Sequence, residues 1–207
     1  MAKTVAMIIT NDNILVRDNE SDEFKTFTMP SLNPSPNIPF YHEFAEKIAE
    51  CQYYFKEFMK GIYGKKLNKY ILAIIVPDDT SKLESIFINE FFVNSGACKA
   101  VAQMPMALAL SKKEVRYISI SKSSRNVILE YVRNNETVVR KLYDIHTCNP
   151  KQVMSDAEKI HIDVEYNDVP IFVNNFNMNM DEYIEMGEII STKQFMEKIS
   201  NIDVEKL

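Results

Sequence analysis

The chain has 207 residues, of which 46% are hydrophobic and 26% charged, the make-up of an ordinary soluble globular protein with room for one large domain or two small ones. A formal net charge of -5 gives no electrostatic footprint for nucleic acid. No apolar stretch approaches the roughly 20 residues needed to span a bilayer.

Cysteine and glycine usage narrow the reading further. Cys51, Cys98 and Cys148 are widely separated, without a Cys-x-x-Cys pair or a histidine at ligand spacing, so free thiols in a reducing cytoplasm are expected. There are only 4 glycines, against a usual frequency of about 7%. Loops that cradle phosphate need glycine, because their backbone N–H groups must approach an anion closely and often at positive φ. This chain has little material for such a loop.

The first elements are three short strands, Thr4–Thr10, Asn13–Arg17 and Phe24–Met29, joined by TNDN and DNESDE, whose Asn and Asp residues favour tight turns. The opening lacks the small-residue cleavage site of a signal peptide. PSLNPSPNIP follows, and its prolines predict an extended path over the surface. Then Phe40, Phe44, Ile48, Cys51, Phe55, Phe58 and Ile62 recur at threes and fours, which predicts a helix over Phe40–Ile62 capped by Gly64.

Tyr70–Val76 is a continuous apolar run and reads as a buried strand. Ser81 and Glu84 have capping-box spacing for a helix from Lys82 to about Ser95, stopped at Gly96. CKAVAQM is a short strand, and PMALALS opens a small-residue helix with Pro105 in its first turn.

The second half repeats the start. Val115–Ser121, Asn126–Arg133 and Glu136–Tyr143 read as strands joined by SKSSR and NN. A helix is expected from Asn149 to about Ile160, IHIDVEY is open between helix and strand, and VPIFVNN is a strand. Asp181–Ile199 reads as a helix with a break near Gly187. The chain is therefore a pseudo-repeat, with halves at 1–112 and 113–207.

That duplicated order, with Val76-Pro77, Gly96-Ala97 and QMPMALAL at Gln103–Leu110, resembles the actin, heat-shock chaperone and sugar kinase superfamily. Within it, the chain resembles the bacterial rod-shape and pilus-assembly actin-like proteins. The resemblance implies an α/β fold of two ribonuclease H-like (actin-like) halves, each a mixed sheet with flanking helices, the outer subdomains missing or minimal. It puts the first phosphate loop at Thr10, Asn11, Asp12 and Asn13, and the second in SISKSSRNV. There Ser119 stands for the family's aspartate, and Ser121, Lys122 and Ser123, followed by Ser124, stand where its glycines would be. The adenosine motif falls on Val173–Asn177, including Asn174 and Asn175.

Family ATPases hold magnesium with an aspartate at each loop and activate water with an acid before the proline. Here those acids are replaced by Ser119 and by Gln103-Met104, while Asp12 is the residue a hairpin turn favours anyway. Lys122 and Arg125 could still meet a phosphate. Without a metal ligand or a base, several kcal/mol of transition-state stabilisation are forfeited. The reading is thus a pseudo-ATPase with vestigial loops and no catalytic residue, cofactor or metal. It would act as a binding or assembly scaffold in the bacterial cytoplasm, with a protein partner or a second copy of itself. The alternative is a divergent nucleotide-binding ATPase or small-molecule kinase, which should offer an acidic magnesium ligand in SISKSSR; that segment has none. A third reading is an unrelated duplicated α/β domain. His146 beside Cys148 and Asp144 lacks the elbow and oxyanion loop of a nucleophile site.

Overall fold

The computed structural model describes residues 3–21, 23–28, 38–110, 114–176 and 178–200. They form two compact units, one up to Met104 and one over Pro105–Ile199. Most of the proline-rich connector lies outside the described residues.

In the first unit, β1 (Lys3–Ile9), β2 (Ile14–Arg17) and β3 (Phe24–Phe27) form an antiparallel meander. A 3-10 helix, Phe40–Ala45, and helix α1 (Ile48–Tyr63) return the chain so that β4 (Tyr70–Val76) pairs parallel with β1, Ala6 opposite Ala73. Helix α2 (Lys82–Asn94) and β5 (Ala100–Pro105) complete a sheet in the order β3-β2-β1-β4-β5. The helix expected over Phe40–Ile62 is in two pieces, because the chain re-aims at Glu46 and Lys47 before α1 buries Cys51, Phe55 and Met59, four residues apart.

The predicted caps are present. Ser81 Oγ accepts from the Glu84 N–H at 3.2 Å, and Glu84 Oε2 accepts from the Ser81 N–H at 2.7 Å. Gly64 ends α1 at φ 77°, where a side chain would strain the backbone. The core of this unit is phenylalanine on phenylalanine: Phe55 lies 5.2 Å from Phe27 and 4.8 Å from Phe92, both edge-on.

The second unit begins with a short helix, α3 (Met106–Ala109), which packs against β6 (Arg116–Lys122) and β7 (Asn126–Arg133). β8 (Glu136–Asp144) completes a second meander. Its turn holds Asn134 and Asn135 at φ 53° and 62°, the conformation an Asn-Asn hairpin supplies. Helix α4 (Pro150–Ala157) is capped by Asn149, and α5 (Ile162–Tyr166) resolves IHIDVEY as helical. β9 (Ile171–Asn174) pairs parallel with β6, and β10 (Glu188–Ile190) pairs parallel with β9.

The region expected to be one interrupted helix is instead a 3-10 helix at Asp181–Met186, then β10, then α6 (Thr192–Ser200). The reason is packing. A Cβ on Gly187 would sit 2.2 Å from the Ile171 carbonyl oxygen, so glycine here permits close approach of the chain to β9. Three residues of strand are too few to show a period.

Read from the meander edge, the second sheet runs β8-β7-β6-β9-β10, the same plan as the first. The protein is α/β, with two five-stranded mixed sheets and flanking helices.

Candidate functional site

Each unit places one of the proposed phosphate loops in its first hairpin, and both hairpins are built alike. In the first unit, Thr10 follows the last residue of β1. Its N–H donates to the Asn13 carbonyl at 3.0 Å, and its hydroxyl accepts from the N–H groups of Asp12 (3.2 Å) and Asn13 (3.0 Å). In the second unit, Ser123 follows the last residue of β6. Its N–H donates to the Asn126 carbonyl at 2.9 Å, and its hydroxyl accepts from Arg125 and Asn126 N–H, both at 3.0 Å. A phosphate loop offers such N–H groups to its ligand. Here a threonine and a serine have taken them, closing Thr10-Asn11-Asp12-Asn13 and Ser123-Ser124-Arg125-Asn126 on themselves.

Ser119, Ser121 and Lys122 are strand residues of β6, paired across to Glu130, Ile128 and Val127 of β7. The Ser119 hydroxyl is buried without a hydrogen-bond partner. Lys122 is turned to its own unit: Nζ donates to the Asn179 carbonyl at 3.3 Å, lies 3.8 Å from Glu182 and stands 5.1 Å from the centre of the Tyr183 ring. The late turn is likewise used internally. Asn174 Oδ1 accepts from Phe176 N–H at 3.1 Å and Asn175 Oδ1 from Met180 N–H at 3.0 Å. Asn177 lies outside the described residues. Gln103 is a clip inside the first unit, its Nε2 donating to the Ser85 carbonyl (2.8 Å) and to Asn89 Oδ1 (2.7 Å).

One group was missed from the sequence. Glu130, fully buried on β7, faces Ser119 in register on one side and Arg140 on the other, and Arg140 Nε donates to its Oε1. An acid inside the apolar run NVILEYVR, with an arginine at matching register on the next strand, is the signal that could have found it. This carboxylate is matched through Oε1 by a guanidinium inside the sheet.

Among the described residues, no three His, Cys, Asp or Glu side chains come together as a metal site. At the positions that the resemblance gives to a nucleotide and magnesium site, the hairpin N–H groups of Asp12, Asn13, Arg125 and Asn126 are bonded to Thr10 and Ser123. Ser119 and Gln103 stand for two of the acids while Asp12 remains, and Lys122 is held by Asn179.

No protein-family model and no curated protein matches the chain. Solved structures do. A Bacteroides thetaiotaomicron protein with an actin-like ATPase fold and unknown function is similar at 7% identity and TM-score 0.50, over 97% of this chain and 96% of that one. The AlfA filament bound to AMPPNP is similar at 12% identity and TM-score 0.49, over 100% and 92%. MreB5 of Spiroplasma citri bound to ADP is similar at 12% and TM-score 0.47, over 82% of this chain. The chain spans 59% of the length of that MreB5. At such identities the likeness is one of architecture: the first of these structures, with the paired sheet orders above, shows that this chain has an actin-like fold.

Proposed function

We propose that this chain is a pseudo-ATPase, an actin-like protein that does not hydrolyse nucleotide and serves in the bacterial cytoplasm as a binding or assembly scaffold for a protein partner or for its own copies. The observation that carries the reading is the self-closure of both hairpins, in which Thr10 and Ser123 take the N–H groups that a phosphate would need. Opening either turn for a ligand would first break those bonds, each contributing about 1 kcal/mol. Among the described residues no helix is long and apolar enough to cross a membrane. A docking role is supported by helix α2, where Leu83, Ile86 and Val93 share one face and are exposed.

Thermal unfolding with and without millimolar magnesium-ATP or ADP tests this. A ligand at 100 times its dissociation constant would stabilise by about 2.7 kcal/mol and shift Tm by several degrees. The expected result is no shift at the hairpins and no phosphate release. A shift that Thr10→Ala or Ser123→Ala alters, or measurable hydrolysis, would replace this reading by a divergent nucleotide-binding ATPase or kinase.

A further inference from the structure

The net charge of -5 conceals a local reversal. In the first unit, the topology gathers cations from distant stretches at one end of the sheet, the end opposite the Thr10 hairpin. Lys3 opens β1, Arg17 closes β2, Lys69 precedes β4 and Lys99 precedes β5. Main-chain bonds bring them level: Lys3 N–H donates to the Lys69 carbonyl at 2.9 Å, and Lys99 N–H to the Tyr70 carbonyl at 2.8 Å.

At that end lies a cleft of 330 Å³, whose walls include Lys3, Thr4, Arg17, Asp18, Tyr63 and Tyr70. That size is at the lower end of small-molecule sites, about 300–1,000 Å³. Two aromatic rings form one wall, Tyr63 and Tyr70, with centres 4.8 Å apart. The Tyr63 hydroxyl donates to the Arg17 carbonyl, which anchors the ring, and burial raises that phenol to about 12, with Asp18 and Tyr70 adding to the effect. Lys69 Nζ stands 5.1 Å from the centre of the Tyr70 ring.

The carboxylate in the wall is already engaged. Asp18 meets Lys25 Nζ at 3.1 Å and accepts from the Asn19 N–H at 2.8 Å and the Ser21 hydroxyl at 3.4 Å. Glu20, the other acid, is exposed. Lys3 and Arg17 in the wall, with Lys25 and Lys69 against wall residues, outnumber the acids counted in the same way, Asp18, Glu20 and Glu23, so the cleft carries a small positive excess inside an acidic protein.

We propose that this cleft binds a small phosphate-bearing polyol. Its phosphate lies in the field of Lys3 and Arg17, its carbon frame lies against Tyr63 and Tyr70, and its hydroxyls meet Thr4 and the Asp18–Ser21 turn. The site is independent of the nucleotide question, because none of its residues belongs to the loops above.

The test is calorimetric titration of the full chain with glycerol 3-phosphate and with inorganic phosphate at low salt. Saturable binding is expected, weakening as salt is raised and falling by about tenfold or more in Lys3→Glu and in Lys69→Glu. Tm of both variants should stay at the wild-type value. Lys193→Glu, on α6 with its side chain 87% exposed, should leave binding unchanged. No heat of binding, or binding indifferent to Lys3→Glu and Lys69→Glu, overturns the proposal. So does binding to phosphatidylglycerol vesicles without binding to the soluble anions, which would assign the charge to a lipid surface. An ATP-induced Tm shift abolished by Lys3→Glu belongs to this cleft, whereas one that persists counts against the pseudo-ATPase reading instead.

Discussion

The first unit and the second unit follow one backbone plan and fill it differently. In the first, Phe27, Phe44, Phe55, Phe91 and Phe92 touch ring to ring, and β1 and β4 are apolar almost throughout. In the second, Phe172 and Phe195 are buried as well, but three tyrosines are tied by their hydroxyls: Tyr131 to Asp163 at 2.6 Å, half-buried Tyr143 to Asp156 at 2.7 Å, and Tyr183 against Cys148 at 3.5 Å. Its central strands carry Ser119, Ser121 and Glu130 into the interior. The same topology thus accepts a dry core, held by burial that has no direction, and a tethered core, held by bonds that do. The second kind is sensitive to pH and to the loss of a single partner.

That contrast can be broken most severely on the dry side. Phe55→Ala removes a ring with no exposed surface and leaves a cavity between Phe27 and Phe92, with an expected cost of about 3–5 kcal/mol in urea unfolding. Next in size, Arg140→Met strips the guanidinium from buried Glu130 and should cost about 3 kcal/mol. The double variant Glu130→Leu, Arg140→Met should recover most of that loss; if it falls as far as the single variant, the loss does not come from leaving the Glu130 charge uncompensated.

A smaller effect sharpens the tethered side. Tyr143→Phe deletes a hydrogen bond to a carboxylate and should cost about 1.5 kcal/mol near neutral pH. Asp156 is held down to about 2, first by the Tyr143 hydroxyl, then by Gln152 and by Lys141 at 3.1 Å. Its folded value lies below the unfolded one of about 3.9, so its stabilisation is present above about pH 4 and is lost as pH falls toward 2. Tyr143→Phe should raise the Asp156 midpoint in a carboxyl NMR titration and flatten the fall in urea midpoint between about pH 4 and pH 2. An unmoved midpoint would show that Lys141 and Gln152 suffice.

The smallest expected change has the opposite sign. Ser119→Ala removes a buried hydroxyl that has no partner, so stability should be unchanged or higher by up to about 1 kcal/mol. A clear loss of stability would mean that the hydroxyl is used.

Local signals were the legible part. The bounds of β4 and β7, the Ser81–Glu84 capping box and the Gly64 cap all follow from neighbours within a few residues. The break between the 3-10 helix and α1 was not legible, because the apolar spacing runs straight through it. Nor was β10, whose glycine looked like a helix break and is instead a point of contact with β9. At the hairpins, the sequence pointed to Thr10–Asn13 and to the segment around Ser123, but not to what their hydroxyls do. A Thr or Ser directly after an apolar strand, with Asn three residues on, is the pattern that announces such a turn.

The sequence alone determined the duplicated order of elements and the absence of acids in SISKSSR, because periodicity, caps and residue identity are properties of adjacent positions. Only the tertiary structure decided where separated side chains end up. It set Arg140 on Glu130, turned Lys122 onto Asn179, and drew Lys3, Arg17, Lys69 and Lys99 to one sheet end. Strand pairing between distant segments makes those neighbours, and no local pattern records which strand will lie beside which.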